Sequence, residues 1–147
     1  MSGAGKVVEF DSLAGDIQEL IKAGVDARTY SYSPYSKFKV GAALRCEDGT
    51  ICKGCNVENT AYPVSICAER TAISKAVSDG KRKFVALAVI ADLDDTFVSP
   101  CGECRQFIIE FGDIPIYLAK TSLGTVFETS AANMLPLAFT ILNNSEK

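Results

Sequence analysis

Residues 84–91, FVALAVIA, form an unbroken run of eight apolar residues. Along a half-exposed strand apolar and polar side chains alternate, so a run with no polar member needs cover on both faces. Such a run is short for a buried helix, and its Val and Ile residues suit a pleated strand. The rest of the chain must therefore supply a sheet with this strand inside it and helices above and below.

The neighbouring segments provide both. Over 12–28, Leu13, Ile17, Leu20, Ile21 and Val25 keep helical spacing, with Ser12 as the expected N-cap. A second helix is predicted over 67–78, where Ala72, Ile73, Ala76 and Val77 make one stripe and Gly80 stops the chain. A third should open with Ser99 as N-cap and Pro100 in the first helical position and run to about Phe111. Strands are predicted over 38–46 and 50–57, joined by the turn Glu47-Asp48-Gly49, and again over 114–119 and 125–129. Residues 30–38 contain Pro34 and read as an aromatic, serine-rich loop; 56–65 also read as loop, and 130–135 as a short helix. The pattern predicts an α/β fold, a mixed five-stranded sheet sandwiched between helices. At 147 residues, one domain over 1–147 is the natural organisation.

Composition narrows the function. No apolar run reaches the roughly 18 residues of a membrane span, and the start, MSGAGKVVEF, lacks the charged and apolar segments of a secretory signal. The expected location is the cytoplasm, with the nucleus left open. The net charge is −3 and the basic residues are scattered, so neither nucleic acid nor membrane is an expected partner. Six cysteines in a reducing compartment argue for a metal or for catalysis before disulfides. There is no histidine, so any metal must sit on thiolates or carboxylates, and any proton shuttle must be something else.

Cys67 opens the second predicted helix, and Cys101 and Cys104 lie at the start of the third. Helix N-termini favour thiolate over thiol, and three thiolates leave the fourth tetrahedral position of a zinc ion to water, as in catalytic sites. Glu69, two residues after Cys67, can reach that position as the acid and base. Three thiolates around a divalent cation carry a net negative charge, which Arg70 and Arg105 are placed to offset by donating hydrogen bonds to the sulfurs. One rival pairs Cys52 and Cys55 with Cys101 and Cys104 in a closed, non-catalytic zinc site; another is a thiol redox protein built on one C-x-x-C. Both leave Cys67 idle. Cys46, Cys52 and Cys55 are read as structural.

Together CAE at 67–69 and PCGEC at 100–104 resemble the signature of the zinc nucleoside and nucleobase deaminases. The chain is most similar to the small, all-cysteine, homotetrameric cytidine deaminases. The likeness runs through YSPYSKFKVGAAL (32–44), GCNVENTAYP (54–63), CAERTAISKAVSDG (67–80) and SPCGECRQ (99–106), and more weakly LPLAF (135–139). It implies one zinc ion per subunit on Cys67, Cys101 and Cys104, with Glu69 as proton shuttle. The reaction implied is conversion of cytidine or deoxycytidine to the uracil nucleoside with release of ammonia. With water polarised by the metal, Glu69 would take its proton, the hydroxide would attack the ring carbon bearing the amino group, and Glu69 would return protons to the ring nitrogen and the leaving amine. Carried over by position, Asn56 and Glu58 would hold the ribose, Phe38 would pack on the pyrimidine, the Ala68 N–H would meet the ring carbonyl and Tyr62 would lie along the sugar. Phe139 would reach the ring from another subunit of a homotetramer. The NVE segment and the charge balance favour a free nucleoside over a polynucleotide.

Overall fold

The computed structural model describes residues 4–141. Its elements follow the chain as β1 (Gly5–Glu9), α1 (Gly15–Arg28), β2 (Gly41–Cys46), β3 (Ile51–Cys55), α2 (Ala68–Ser78), β4 (Phe84–Ile90), α3 (Gly102–Ile109), β5 (Pro115–Ala119), β6 (Thr125–Ser130) and α4 (Ala131–Met134). One mixed sheet runs in the order β1-β6-β5-β4-β2-β3, in which only β4 and β5 pair in parallel. The FVALAVI run is β4, inside the sheet between β2 and β5.

Period-two alternation divides the interior. Ala42, Leu44, Leu87, Val89, Ile116 and Leu118 face α2, α3 and α4, where they meet Ala72, Ile73, Ala76, Ile108 and Met134. Ala43, Ala88, Ile90 and Tyr117 face the other way, onto Leu20 and Ile21 of α1. The result is helix, sheet, helix. Among the described residues no helix is long and apolar enough to cross a membrane.

The sheet has six strands where five were expected. The addition is β1, whose GKVVE sequence is mostly exposed and carries no alternating stripe. It is held by main-chain pairing to β6 and by Phe10, which follows it and is buried beside Leu20 and Ile21. Two caps also differ from expectation. Ser12 belongs to a 3-10 turn and donates its hydroxyl to the Glu9 carbonyl, so α1 is capped at Ala14. At α3 the cap is Cys101, because Pro100 is buried ahead of the helix and Ser99 accepts a hydrogen bond from Arg105.

The connections place the functional end. Strands β3 and β4 both run antiparallel to β2, so they point the same way, and each is followed by a helix. The starts of α2 and α3 therefore lie at one end of the sheet, where open α/β sheets hold ligands. Helix α2 sits unusually close to β3 because Gly54 has no side chain: a Cβ there would lie 2.6 Å from the Ala68 carbonyl oxygen and clash with the Ala72 amide nitrogen. Gly54→Ala should therefore cost about 3 kcal/mol, as overpacking against rigid backbone does, measured as a lower urea midpoint. An unchanged midpoint would show that α2 has room to move.

Candidate active site

The two helix starts bring Cys67, Cys101 and Cys104 together, with their sulfurs within 4.8 Å of one another and 3.9 Å between Cys67 and Cys101. Cys67 and Cys101 are the N-cap residues of α2 and α3, and Cys104 lies in the first turn of α3. Cys104 is buried, Cys67 half-buried and Cys101 exposed, so the cluster is closed below and open above. Among the described residues it is the one group of three or more Cys, Asp or Glu side chains placed to hold a metal. Cys52 points into the core with Cys46, and Cys55 faces the Tyr30 carbonyl at 3.4 Å. The closed site built from the 52/55 and 101/104 pairs is thus not formed.

The protons of the cluster are unevenly held. Hydrogen bonding from Cys104 and the nearby Arg70 bring the Cys67 thiol down to about 5, while the same Cys67 contact and burial push Cys104 up. The first sulfur to ionise is stabilised by its neighbours, and the next is opposed by the charge already present. All three ionise together only against a cation. Three soft donors with one open side fit zinc in its three-ligand form.

Glu69 lies in the first turn of α2 and is 4% exposed. Burial is the main cause that pushes its carboxyl up to about 7, with the Cys67 charge adding to it. Arg70 donates from its Nη1 to Glu103 at 2.9 Å and from its Nη2 to the Ser65 carbonyl at 3.4 Å, and its positive charge helps to bring the Cys67 thiol down. Arg105 does not share that task. Its hydrogen bonds go to Pro100 O, Met134 O and Ser99 Oγ, which corrects the expectation that it serves the sulfurs. Following Cys104 on α3, it points to the side of the helix that faces the C-terminal segment.

The family model for the cytidine and deoxycytidylate deaminase zinc-binding region matches residues 15–120, which include all three cysteines and Glu69. The chain belongs to this deaminase family. A cytidine deaminase of Sporosarcina psychrophila is 56% identical over 126 residues, covering 84% of this chain and 91% of that one. A probable cytidine deaminase of Dictyostelium discoideum is 44% identical over 124 residues, covering 84% of each. The crystal structure of cytidine deaminase from Burkholderia pseudomallei superposes with a TM-score of 0.79 at 43% identity, over 86% of this chain and 100% of that one.

In this member of the deaminase family, a cleft of about 390 Å³ is lined by Tyr35, Ser36, Glu58, Tyr62 and Ser65. Glu58 accepts hydrogen bonds from the backbone N–H groups of Tyr35 and Ser36 and from the Ser36 hydroxyl, and these hold its carboxyl below the ordinary value. Asn56 is equally tied: its oxygen accepts from Ser31 Oγ and the Val40 N–H, and its nitrogen donates to the Phe38 carbonyl at 2.8 Å. The 32–38 loop and the NVE segment therefore form one unit, joined also by the bridge between Tyr32 and Val57. Tyr62 is exposed and meets Tyr35 edge-on at 5.9 Å; Phe38 is half-buried and Ala68 fully buried. Phe139 lies on the surface at 73% exposure, its carbonyl held by the Gln106 side chain at 2.8 Å. Sequence reading passed over Ser31, Ser36, Glu103 and Gln106, whose roles depend on partners 22 or more residues away in the chain.

Cys101→Ala is expected to lose bound zinc on elemental analysis, and Cys52→Ala to keep it. Loss of zinc in Cys52→Ala with retention in Cys67→Ala would return the closed four-cysteine site.

Proposed function

We propose that this chain hydrolyses free cytidine and 2′-deoxycytidine to uridine and 2′-deoxyuridine with release of ammonia, acting as one catalytic unit over 1–147. The carrying observation is a single buried carboxylate, Glu69, beside three cysteine sulfurs at the meeting of two helix starts. The names of the relatives support the nucleoside class. Cys67, Cys101 and Cys104 would hold one zinc ion per chain, which would supply Lewis-acid activation of water.

Glu69 holds and moves the protons. A carboxyl poised near 7 can take a proton from water and return it at neutral pH, first to the pyrimidine ring nitrogen and then to the departing amine. One group carries both transfers, so a chain without histidine loses nothing by its absence. Asn56 and Glu58 receive the ribose hydroxyl groups, and both arrive already oriented by the 31–40 loop. Phe38 packs against the ring, the Ala68 N–H meets the ring carbonyl, and Tyr62 borders the sugar. The cleft lining offers the carboxylate of Glu58, which suits the hydroxyl groups of an uncharged nucleoside.

The same reading gives a homotetramer in the cytoplasm. Tyr62, Leu137, Phe139 and Ile141 expose more apolar surface than a lone subunit needs to, and a neighbour's Phe139 can cover the ring and exclude water. Glu69→Gln should keep zinc and fold but lose turnover by a factor on the order of a thousand or more. Near-normal turnover in that variant would remove Glu69 from the mechanism. Phe139→Ala should weaken cytidine handling with zinc intact. Mixing it with Glu69→Gln chains should recover activity, through sites that take Glu69 from one chain and Phe139 from the next. An active monomer in sedimentation, or no recovery after subunit exchange, would refute the shared site.

A further inference from the structure

We propose that Glu103, the residue between the two cysteines of the CGEC segment, is a positioning residue that holds Arg70 against the cysteine sulfurs. The proposal rests on the reading of Cys67, Cys101 and Cys104 as zinc ligands. It assigns a task to a side chain that touches neither the metal nor the substrate.

The geometry supports it at three points. Arg70 is on α2, one residue beyond Glu69, and Glu103 is on α3. Their ion pair, Nη1 to Oε1 at 2.9 Å, therefore joins the two helices that carry the three cysteines. Second, the pair is one-sided: the Arg70 side chain is 18% exposed and that of Glu103 is 70% exposed. The carboxylate approaches from the solvent side and anchors the more buried guanidinium. Third, the buried Nε of Arg70 has no hydrogen-bond partner among the described residues, and the Ser65 contact of Nη2 is long. Among the described residues Glu103 is thus the one close oxygen partner of Arg70.

The need for such a residue follows from the side chain it holds. An arginine has many rotamers and is stabilised in water as well as over a thiolate, so a guanidinium with no outer anchor spends part of its time swung away. Hydrogen bonds from an arginine keep a ligating thiolate from taking up the proton that would detach it from the metal. A fixed carboxylate on the far side of the guanidinium selects the rotamer in which those bonds form. The plainer role of a glutamate in a first helical turn is to complement the helix dipole. That role needs no arginine, and the difference can be measured.

The test is the rate at which the folded, zinc-loaded protein gives up zinc to a colorimetric chelator at fixed neutral pH, for the wild type, Glu103→Gln, Glu103→Asp, Arg70→Gln and the double variant Glu103→Gln/Arg70→Gln. Glu103→Gln should release zinc about three- to ten-fold faster, the range of a modest outer-ligand effect, and Arg70→Gln faster still. Glu103→Asp should recover part of the loss, and the double variant should match Arg70→Gln alone, since Glu103 acts only through the arginine. Wild-type release from Glu103→Gln would overturn the proposal. So would a double variant faster than Arg70→Gln by the full Glu103→Gln factor, which would leave Glu103 as a helix-end charge. If the wild type held no zinc, the reading of the cysteines would fall instead, and the two failures are thereby told apart.

Discussion

Three cysteine sulfurs lie within 4.8 Å of one another, and the site depends on the chain's being able to hold them there. Three thiolates at that spacing repel, so the fold must offset their charge. It does so by aiming the N-termini of α2 and α3 at the same point and placing the positive charge of Arg70 near Cys67. That convergence is set by topology. Because β3 and β4 run the same way on either side of β2, the helices that leave them start at one end of the sheet. Close contact between Gly54 and α2 then fixes the depth at which Cys67 and Glu69 sit.

The same burial that shapes the cluster prepares its proton carrier. Glu69 is surrounded by core residues of α2 and by the cysteines, and a carboxyl in such a place holds its proton to about 7. A solvent-exposed glutamate, ionised well below neutral pH, would be too weak a base for the reaction we propose. In the cleft lined by Tyr35, Ser36 and Glu58 the logic reverses. Glu58, supplied with donors by Tyr35 and Ser36, stays charged and ready to accept a hydroxyl. Two glutamates eleven positions apart are thus set to opposite protonation behaviour by their surroundings.

Much of this could be read from the sequence, because it is written in local patterns. The apolar run at 84–91 identified an inner strand, and the positions of Cys67, Cys101 and Cys104 marked two helix starts. What escaped has physical reasons. β1 is an edge strand held by main-chain bonds, which leave no hydrophobic stripe to detect. Ser12 and Ser99 have the right chemistry for caps, but Phe10 and Pro100 are drawn into the core and shift the helix starts downstream. Arg105 looked equivalent to Arg70 because each lies within three residues of a cysteine at a helix start. On α3, however, it faces the Met134 carbonyl, a partner 29 residues away that spacing cannot reveal. Glu103 and Gln106 were silent for the same reason, since a side chain's partner across two elements exists only after folding.

The central claim is that a cysteine-held zinc and one buried glutamate together deaminate a free nucleoside. The most direct measurement incubates the purified, zinc-loaded protein with cytidine, and in parallel with cytidine 5′-monophosphate and a cytosine-containing single-stranded DNA, and counts ammonia against uracil product. The account predicts ammonia and uridine in equal amounts from cytidine and little or none from the other two. Zinc-loaded protein that leaves cytidine unchanged, or that prefers the phosphorylated substrates, would contradict it.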